Sequence, residues 1–382
     1  MIRGARAARW ATAAVLATGI VAAVAAPGPT RAPASAGLAV PQPTATDVAT
    51  ATRPATSGSD AAVPAQFQQP SATAAAVARP TVDVDRLQAA LDTWAQARPS
   101  VHSVAVAVAV AEPGSPWWGG VATAPGKPAL DLGERHGVLS VTKTFTEALV
   151  LREVAAGRID LDAPVPPVPG VATAPAGVVI TPRMLLQHSS GLVNYPEAIG
   201  YDPKAPITPQ QIVSSALRTP LLAAPGTRAA YSNTNFHWLG LVLEHVTGRP
   251  YGELVADLAD EVGLSDTGLD PTGRPGWIGY ASGGIRATVG DMARWGAALF
   301  TPGRVLPAEQ LKALTTVGPL GVSLGLWPVA GKGLSQFVAH GGLVYYPVEQ
   351  LVVIVRIVGT GDAIAQARDL AGVLRAAVGT LE

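Results

Sequence analysis

The chain contains no cysteine. Disulfides, thiolate nucleophiles, cysteine-based metal sites and a cysteine-linked lipid anchor are therefore excluded. Charge is scarce as well: only 14% of the 382 residues are charged, and 27 basic residues cancel 27 acidic ones. No basic stripe interleaved with aromatics occurs, so the electrostatic footprint of a nucleic-acid partner is missing. His102, His136, His237 and His245 show no metal-ligand spacing, and neither a metal nor a cofactor is expected. No internal repeat is visible.

What is present begins with an export-type N-terminus. Arg3, Arg6 and Arg9 precede an apolar run from residue 11 to 25, and Ala23-Val24-Ala25 offers a small-x-small cleavage site. Residues 1–26 read as a signal peptide, with an uncleaved membrane anchor as the alternative; the run is shorter than the ~20 residues of an ordinary spanning helix. Residues 27–80 are Pro, Ala, Thr, Ser and Gln with few large apolar side chains, too little to offset ordering entropy. They read as a disordered linker kept extended by proline. Residues 81–382 form the folded domain, expected outside the cytoplasm: secreted, associated with the cell wall, or tethered to the membrane through the N-terminus.

Within that domain the apolar periodicity sets the elements. Leu87, Leu91 and Trp94 recur at helical spacing behind the start signals Asp83 and Asp85. Residues 103–111 alternate valine with alanine, and 117–121 supply a partner strand across a Pro-Gly-Ser turn. A helix is expected from Ser140 to about Gly157, with Phe145, Leu149 and Val154 on one apolar stripe. Residues 158–169 are loop, and 181–186 form a short helix that Thr181 caps with Pro182 at its first position. Further helices are expected at 208–217, 236–246, 251–258 and 288–300, with a tight turn at 281–284. Strands at 322–326, 337–344 and 351–358 and a last helix at 363–378 complete the chain. The order implies an α+β fold: an antiparallel sheet built from both chain ends and flanked by helices, plus an inserted all-helical region.

One stretch carries chemistry. Ser140 and Lys143 are three apart, so on a helix the lysine amine can reach back to the serine hydroxyl. A serine needs a neighbour to take its proton, and a lysine serves only where its surroundings keep the amine neutral. The helix start would add unpaired N–H groups that favour a developing oxyanion. Out of context the same residues could be a polar helix start with Lys143 in solvent. Gly321-Val322-Ser323-Leu324-Gly325 also matches a nucleophile elbow, but an elbow needs a strand before and a helix after, and the sequence continues like a strand. His188, beside two serines, reads as structural.

Ser140-Val141-Thr142-Lys143, Tyr231-Ser232-Asn233 and His340-Gly341-Gly342 occur in the order of the three motifs of serine β-lactamases and penicillin-binding D,D-peptidases. The chain resembles that superfamily, in particular its class C-like group of D-alanyl-D-alanine carboxypeptidases and related esterases. The resemblance extends over most of residues 81–382, through stretches such as TKTFTEALVLREVAAGRIDLDAPV, ITPRMLLQHSSGL and PGTRAAYSNTNFHWLG.

It implies that Ser140 is acylated, with Lys143 as proton acceptor and Tyr231 as shuttle to the leaving group, its phenol lowered in pKa beside a cationic Lys143. Asn233 would bind a substrate amide and hold Lys143. His340 would donate to substrate from an edge strand, with Gly341 and Gly342 leaving room for substrate backbone. The oxyanion hole would be the N–H groups of Ser140 and Leu343. Gly341 stands where many members carry Thr or Ser, which raises the esterase reading. The implied activity is that of a D-alanyl-D-alanine carboxypeptidase-like enzyme on peptidoglycan stem peptides; a class C-like esterase or β-lactamase and a non-catalytic penicillin-binding sensor are the alternatives. The partner in each case is a small-molecule or peptide substrate.

Overall fold

The computed structural model describes residues 83–112, 116–202, 204–270, 279–338 and 340–378. The signal peptide, its anchor alternative, the linker 27–80 and the Pro-Gly-Ser turn at 113–115 lie outside the described residues. Among the described residues no helix is long and apolar enough to cross a membrane.

Helix α1 (Val84–Gln96) starts where Asp83 accepts the backbone N–H of Arg86, and it buries Leu87, Leu91 and Trp94. Strands β1 (Val101–Val110) and β2 (Trp117–Thr123) follow as an antiparallel pair. After the two-residue β3 (His136–Gly137), a short 3-10 turn (Leu139–Val141) leads into α2 (Thr142–Ala155). The helical region then runs through α3 (Pro182–Leu186), α4 (Pro209–Arg218), α5 (Asn233–Thr247) and α6 (Tyr251–Val262). Next come β4 (Gly268–Leu269), α7 (Tyr280–Gly283), β5 (Ile285–Ala287), α8 (Val289–Leu299) and α9 (Ala308–Thr315). The chain returns to the sheet with β6 (Trp327–Val329), β7 (Gly333–Val338), β8 (Gly341–Tyr346) and β9 (Leu351–Gly359), and closes on α10 (Ala363–Val378).

The main sheet has the order β2-β1-β9-β8-β7-β6, and β1 of the N-terminal part pairs antiparallel with β9 of the C-terminal part. The expected α+β arrangement is thus present, an antiparallel sheet from both chain ends with a helical region inserted between them. The valine–alanine alternation in β1 decides how the two faces are covered. Val104, Val106 and Val108 pack toward α1 and α10, whereas Ala105, Ala107 and Ala109 join the core of the helical side. Small side chains there let α8 come close; a Cβ on Gly296 of α8 would lie 2.5 Å from Val352 of β9.

Three expectations need correction. The run 337–344 is two strands, β7 ending at Val338 and β8 beginning at Gly341, and these two residues face each other. Residues 322–326 form a turn and not a strand, and helix α9 was not anticipated. Helix α2 has no single apolar stripe: it is buried around its whole circumference from Thr142 to Leu151. A helix enclosed on all sides loses the one-face pattern, because every direction is core. Its threonines are satisfied internally, Thr144 accepting from Trp295 Nε1 at 2.8 Å and Thr146 donating to the Ala281 carbonyl at 2.7 Å.

Candidate active site

The small sheet β3-β5-β4 fixes the approach to α2. Val138 donates its N–H to the Ile285 carbonyl at 3.0 Å, and Ile285 returns its own N–H to Thr142 Oγ1 at 3.1 Å. Between these clamps Leu139 takes φ +47, a conformation that costs a bulky residue energy and persists only under such constraint. Ser140 is thereby held in the 3-10 turn at the head of a buried helix, half-exposed at its surface.

Lys143 lies one turn on and is fully buried. Its Nζ stands 3.1 Å from Ser140 Oγ, 2.8 Å from Asn233 Oδ1 and 2.6 Å from the Ser282 carbonyl. Burial lowers its pKa to about 7, against an opposing pull from Glu147. Tyr231 completes the group, its hydroxyl 2.6 Å from Ser140 Oγ and donating to Asn233 Oδ1 at 3.2 Å. The expected fall in the Tyr231 pKa is reversed. Desolvation dominates and pushes the phenol up to about 12, with the Ser140 hydrogen bond acting the other way, although the side chain keeps 40% of its surface exposed at the cleft. The phenol therefore stays protonated and can serve as a donor.

Further partners surround this group, of which the sequence singled out His188 alone, as a structural residue. Asn194 Oδ1 accepts from both the backbone N–H and Nδ2 of Asn233, at 3.0 and 3.2 Å, and so caps α5 and orients the Asn233 oxygen toward Lys143. His188, at φ +52, stacks on Tyr231 with ring centroids 4.6 Å apart and accepts the Ser232 N–H through Nδ1 at 3.1 Å. It is neutral, because burial lowers its pKa to about 3, and it acts as the platform under the phenol. The Ser282 carbonyl comes from α7. His188 and Asn194 lie in the connection between α3 and α4 and Ser282 in α7, far along the chain from Ser140, so no spacing rule connects them to it.

The third motif falls elsewhere than expected. His340 is exposed in the β7–β8 turn, and Gly341, Gly342 and Leu343 belong to β8, which is flanked by β7 and β9 and is no edge strand. β7 is the sheet strand that packs most closely on the Ser140 turn. A Cβ on Gly341, at φ +138, would lie 1.9 Å from the Val355 carbonyl oxygen, and one on Gly342 would lie 2.5 Å from that of Gln336. Their missing side chains make room for neighbouring strands instead of substrate. Leu343 is fully buried opposite Gln336 and Ile354, so its N–H lies in the plane of an internal strand and is directed at sheet neighbours. Ser323 is also fully buried, donating to the Leu326 carbonyl at 3.2 Å in a turn that neither follows a strand nor begins a helix, which disposes of the nucleophile elbow.

An antiparallel sheet with an inserted helical region, and a serine–lysine pair joined by a tyrosine and an asparagine at their interface, define the serine hydrolases of the penicillin-recognising type. The Beta-lactamase family model matches residues 84–369. The chain belongs to the β-lactamase family.

Among curated proteins it is similar to the D-alanyl-D-alanine-carboxypeptidase/endopeptidase AmpH of Escherichia coli (strain K12), 30% identical over 202 residues that cover 45% of this chain and 51% of the relative. It is also similar to the D-aminopeptidase of Brucella anthropi, 29% identical over 242 residues, 54% of this chain and 45% of the relative. The chain thus matches about half the length of these relatives. Among solved structures it resembles the D-stereospecific amidohydrolase from Streptomyces sp., with TM-score 0.57 and 25% identity, covering 75% of this chain and 98% of that one. The D-amino acid amidase from Ochrobactrum anthropi SV3 shares the fold at TM-score 0.62 and 20% identity, covering 77% and 97%.

Proposed function

We propose that this protein is an exported serine hydrolase that works through an acyl-enzyme on Ser140 and cleaves amide bonds next to D-amino acids, in the manner of a D-alanyl-D-alanine carboxypeptidase acting on peptidoglycan stem peptides. The observation that carries the acyl-enzyme reading is the bonding of Lys143. Asn233 Oδ1 and the Ser282 carbonyl can only accept, and in the neutral amine that burial favours they can take its two N–H groups and leave the lone pair facing Ser140 Oγ. The choice of substrate is supported by the names of the relatives, which share hydrolysis of D-amino-acid or D-alanyl compounds.

In the reaction, Lys143 Nζ takes the Ser140 proton as Oγ bonds to the substrate carbonyl carbon. The oxyanion is met by the Ser140 N–H and, in place of Leu343, by backbone on the part of β7 beyond Ser335 that β6 leaves uncovered. As the C–N bond breaks, Tyr231 gives its proton to the leaving amine and is reprotonated at the expense of the Lys143 ammonium. Water then attacks the acyl group along the reverse proton path. The export signal and linker suit a substrate outside the cytoplasm. The test is incubation of the full chain with a fluorescent penicillin and with a D-Ala-D-Ala peptide. A Ser140 adduct mapped by peptide mass, together with D-alanine release abolished in Ser140→Ala, is expected. An adduct without D-alanine release would favour a penicillin-binding sensor, and no reaction at Ser140 with either compound would end the proposal.

A further inference from the structure

Glu147 is the one polar side chain of α2's enclosed segment that the fold leaves unpaired. It is fully buried, and neither carboxyl oxygen has a hydrogen-bond partner, in contrast to the satisfied hydroxyls of Thr142, Thr144 and Thr146 on the same helix. An unpaired carboxylate in such a place is costly, so it is retained only as a neutral acid or for a use.

Its surroundings are built around it. Gly325 lies opposite at φ +106, and a Cβ there would sit 2.1 Å from Glu147 Oε1 and 2.3 Å from its Cδ, so the carboxyl fills the space that a side chain at 325 would need. From β7, Gln336 gives an amide N–H to the Gly325 carbonyl at 3.0 Å, and the same amide weakly favours the ionised form of the acid. Glu147 follows Lys143 by four residues, which places the two on one helix face. Yet every hydrogen bond of the lysine runs to Ser140, Asn233 or Ser282. The groups that face the acid are Lys143 on its own helix, Tyr231 ahead of α5, Tyr251 on α6, and Gln336 on β7, while the Gly325 turn offers only backbone.

We propose that Glu147 is a positioning residue for acylation: as an uncharged acid one turn from Lys143 it leaves the lysine amine neutral and basic, and on ionising it draws that amine back to ammonium. This rests on the reading of Ser140 and Lys143 as nucleophile and base. Two features support it beyond geometry. Burial raises the Glu147 carboxyl to about 8, with Gln336 and Lys143 opposing. The lysine is in turn held up by Glu147 against its own desolvation. The acid and the base therefore exchange their usual charge states near neutrality, and the pair titrates as one unit.

The test is the pH dependence of Ser140 labelling by a fluorophosphonate, in the full chain, for wild type, Glu147→Gln and Glu147→Met. Removing the acid removes its pull on Lys143. The ascending limb of the rate should move to lower pH by half a unit or more in both variants, about a threefold faster reaction on the acid side of the wild-type midpoint. An unchanged limb, or one displaced upward, would overturn the proposal, whereas a merely structural role would lower the folded fraction without moving the limb. Should neither variant fold, wild type alone decides: an infrared band of a protonated carboxyl at about pH 6 that fades by about pH 10 is expected, and its absence sinks the idea. Failure of wild type to label Ser140 at any pH would instead strike the acyl-enzyme reading, and this inference with it.

Discussion

Lys143 Nζ approaches Ser140 Oγ to 3.1 Å while its remaining contacts, Asn233 Oδ1 and the Ser282 carbonyl, are acceptors only. A neutral amine fits this environment with no unsatisfied group. Because burial lowers the lysine to about 7, the amine is substantially neutral at physiological pH. The kcat/KM for acylation should rise with pH through a limb near pH 7, since the protonated lysine cannot accept the serine proton. Replacing Lys143 by Met should cut kcat/KM by about 10²–10⁴-fold and abolish that limb. A limb that survives in Lys143→Met would assign the base elsewhere.

Tyr231 bridges Ser140 and Asn233 with its proton retained. Tyr231→Phe keeps the ring that stacks on His188 and deletes only the donor. A peptide substrate, whose amine must be protonated to leave, should slow by about 10²-fold or more, whereas a nitrophenyl ester with a good leaving group should slow much less. Equal losses on both substrates would remove Tyr231 from the leaving-group step.

The two buried titrating groups of α2 affect stability with opposite signs. Glu147, raised from 4.5 to about 8, contributes stability that is fully present below its unfolded pKa and is lost as pH rises through about 8. Lys143, lowered from 10.5 to about 7, contributes stability present above its unfolded pKa and lost as pH falls through about 7. In thermal melts, the advantage of Glu147→Gln over wild type should therefore grow with pH between about 4.5 and 8. That of Lys143→Met should grow as pH falls from about 10.5 to 7. Both variants tracking wild type in parallel across these windows would show that neither group is perturbed.

Gly341 separates the sheet role from the substrate role. At φ +138, with the Val355 carbonyl oxygen 1.9 Å from any Cβ, Gly341→Ala must displace β8 from β9. Strain at such a position costs on the order of 1–3 kcal/mol. The midpoint of denaturant unfolding should fall accordingly. A normal midpoint with a raised KM would restore Gly341 to the substrate site.

Much of the fold was legible because its signals are local. The Val/Ala alternation of β1, the Asp83 and Thr181 caps, and the helix at 363–378 each depend on neighbours within a few residues. The change of direction between Val338 and Gly341 was not legible: the apolar run 337–344 offers no strong turn signal before His340-Gly341, and a continuous apolar stretch does not reveal where it doubles back. That single misplacement moved Gly341, Gly342 and Leu343 from an edge to the interior of the sheet and put His340 in an exposed turn. Glu147 was invisible for a related reason, because a charged residue on a helix reads as solvent-facing until all sides are known to be covered.

By itself, then, the sequence determined that Ser140 and Lys143 meet, since positions i and i+3 at a helix start are neighbours whatever surrounds them. It also determined that Tyr231 and Asn233 stand two apart, close enough to act together. The tertiary structure alone decided that Asn194 and His188, from the connection between α3 and α4, and Ser282, from α7, converge on them. It also decided that the lysine is enclosed. Enclosure raises the free energy of the charged amine, and that desolvation, which no local pattern encodes, lowers the pKa of Lys143 and makes the proposed role of base chemically open to it.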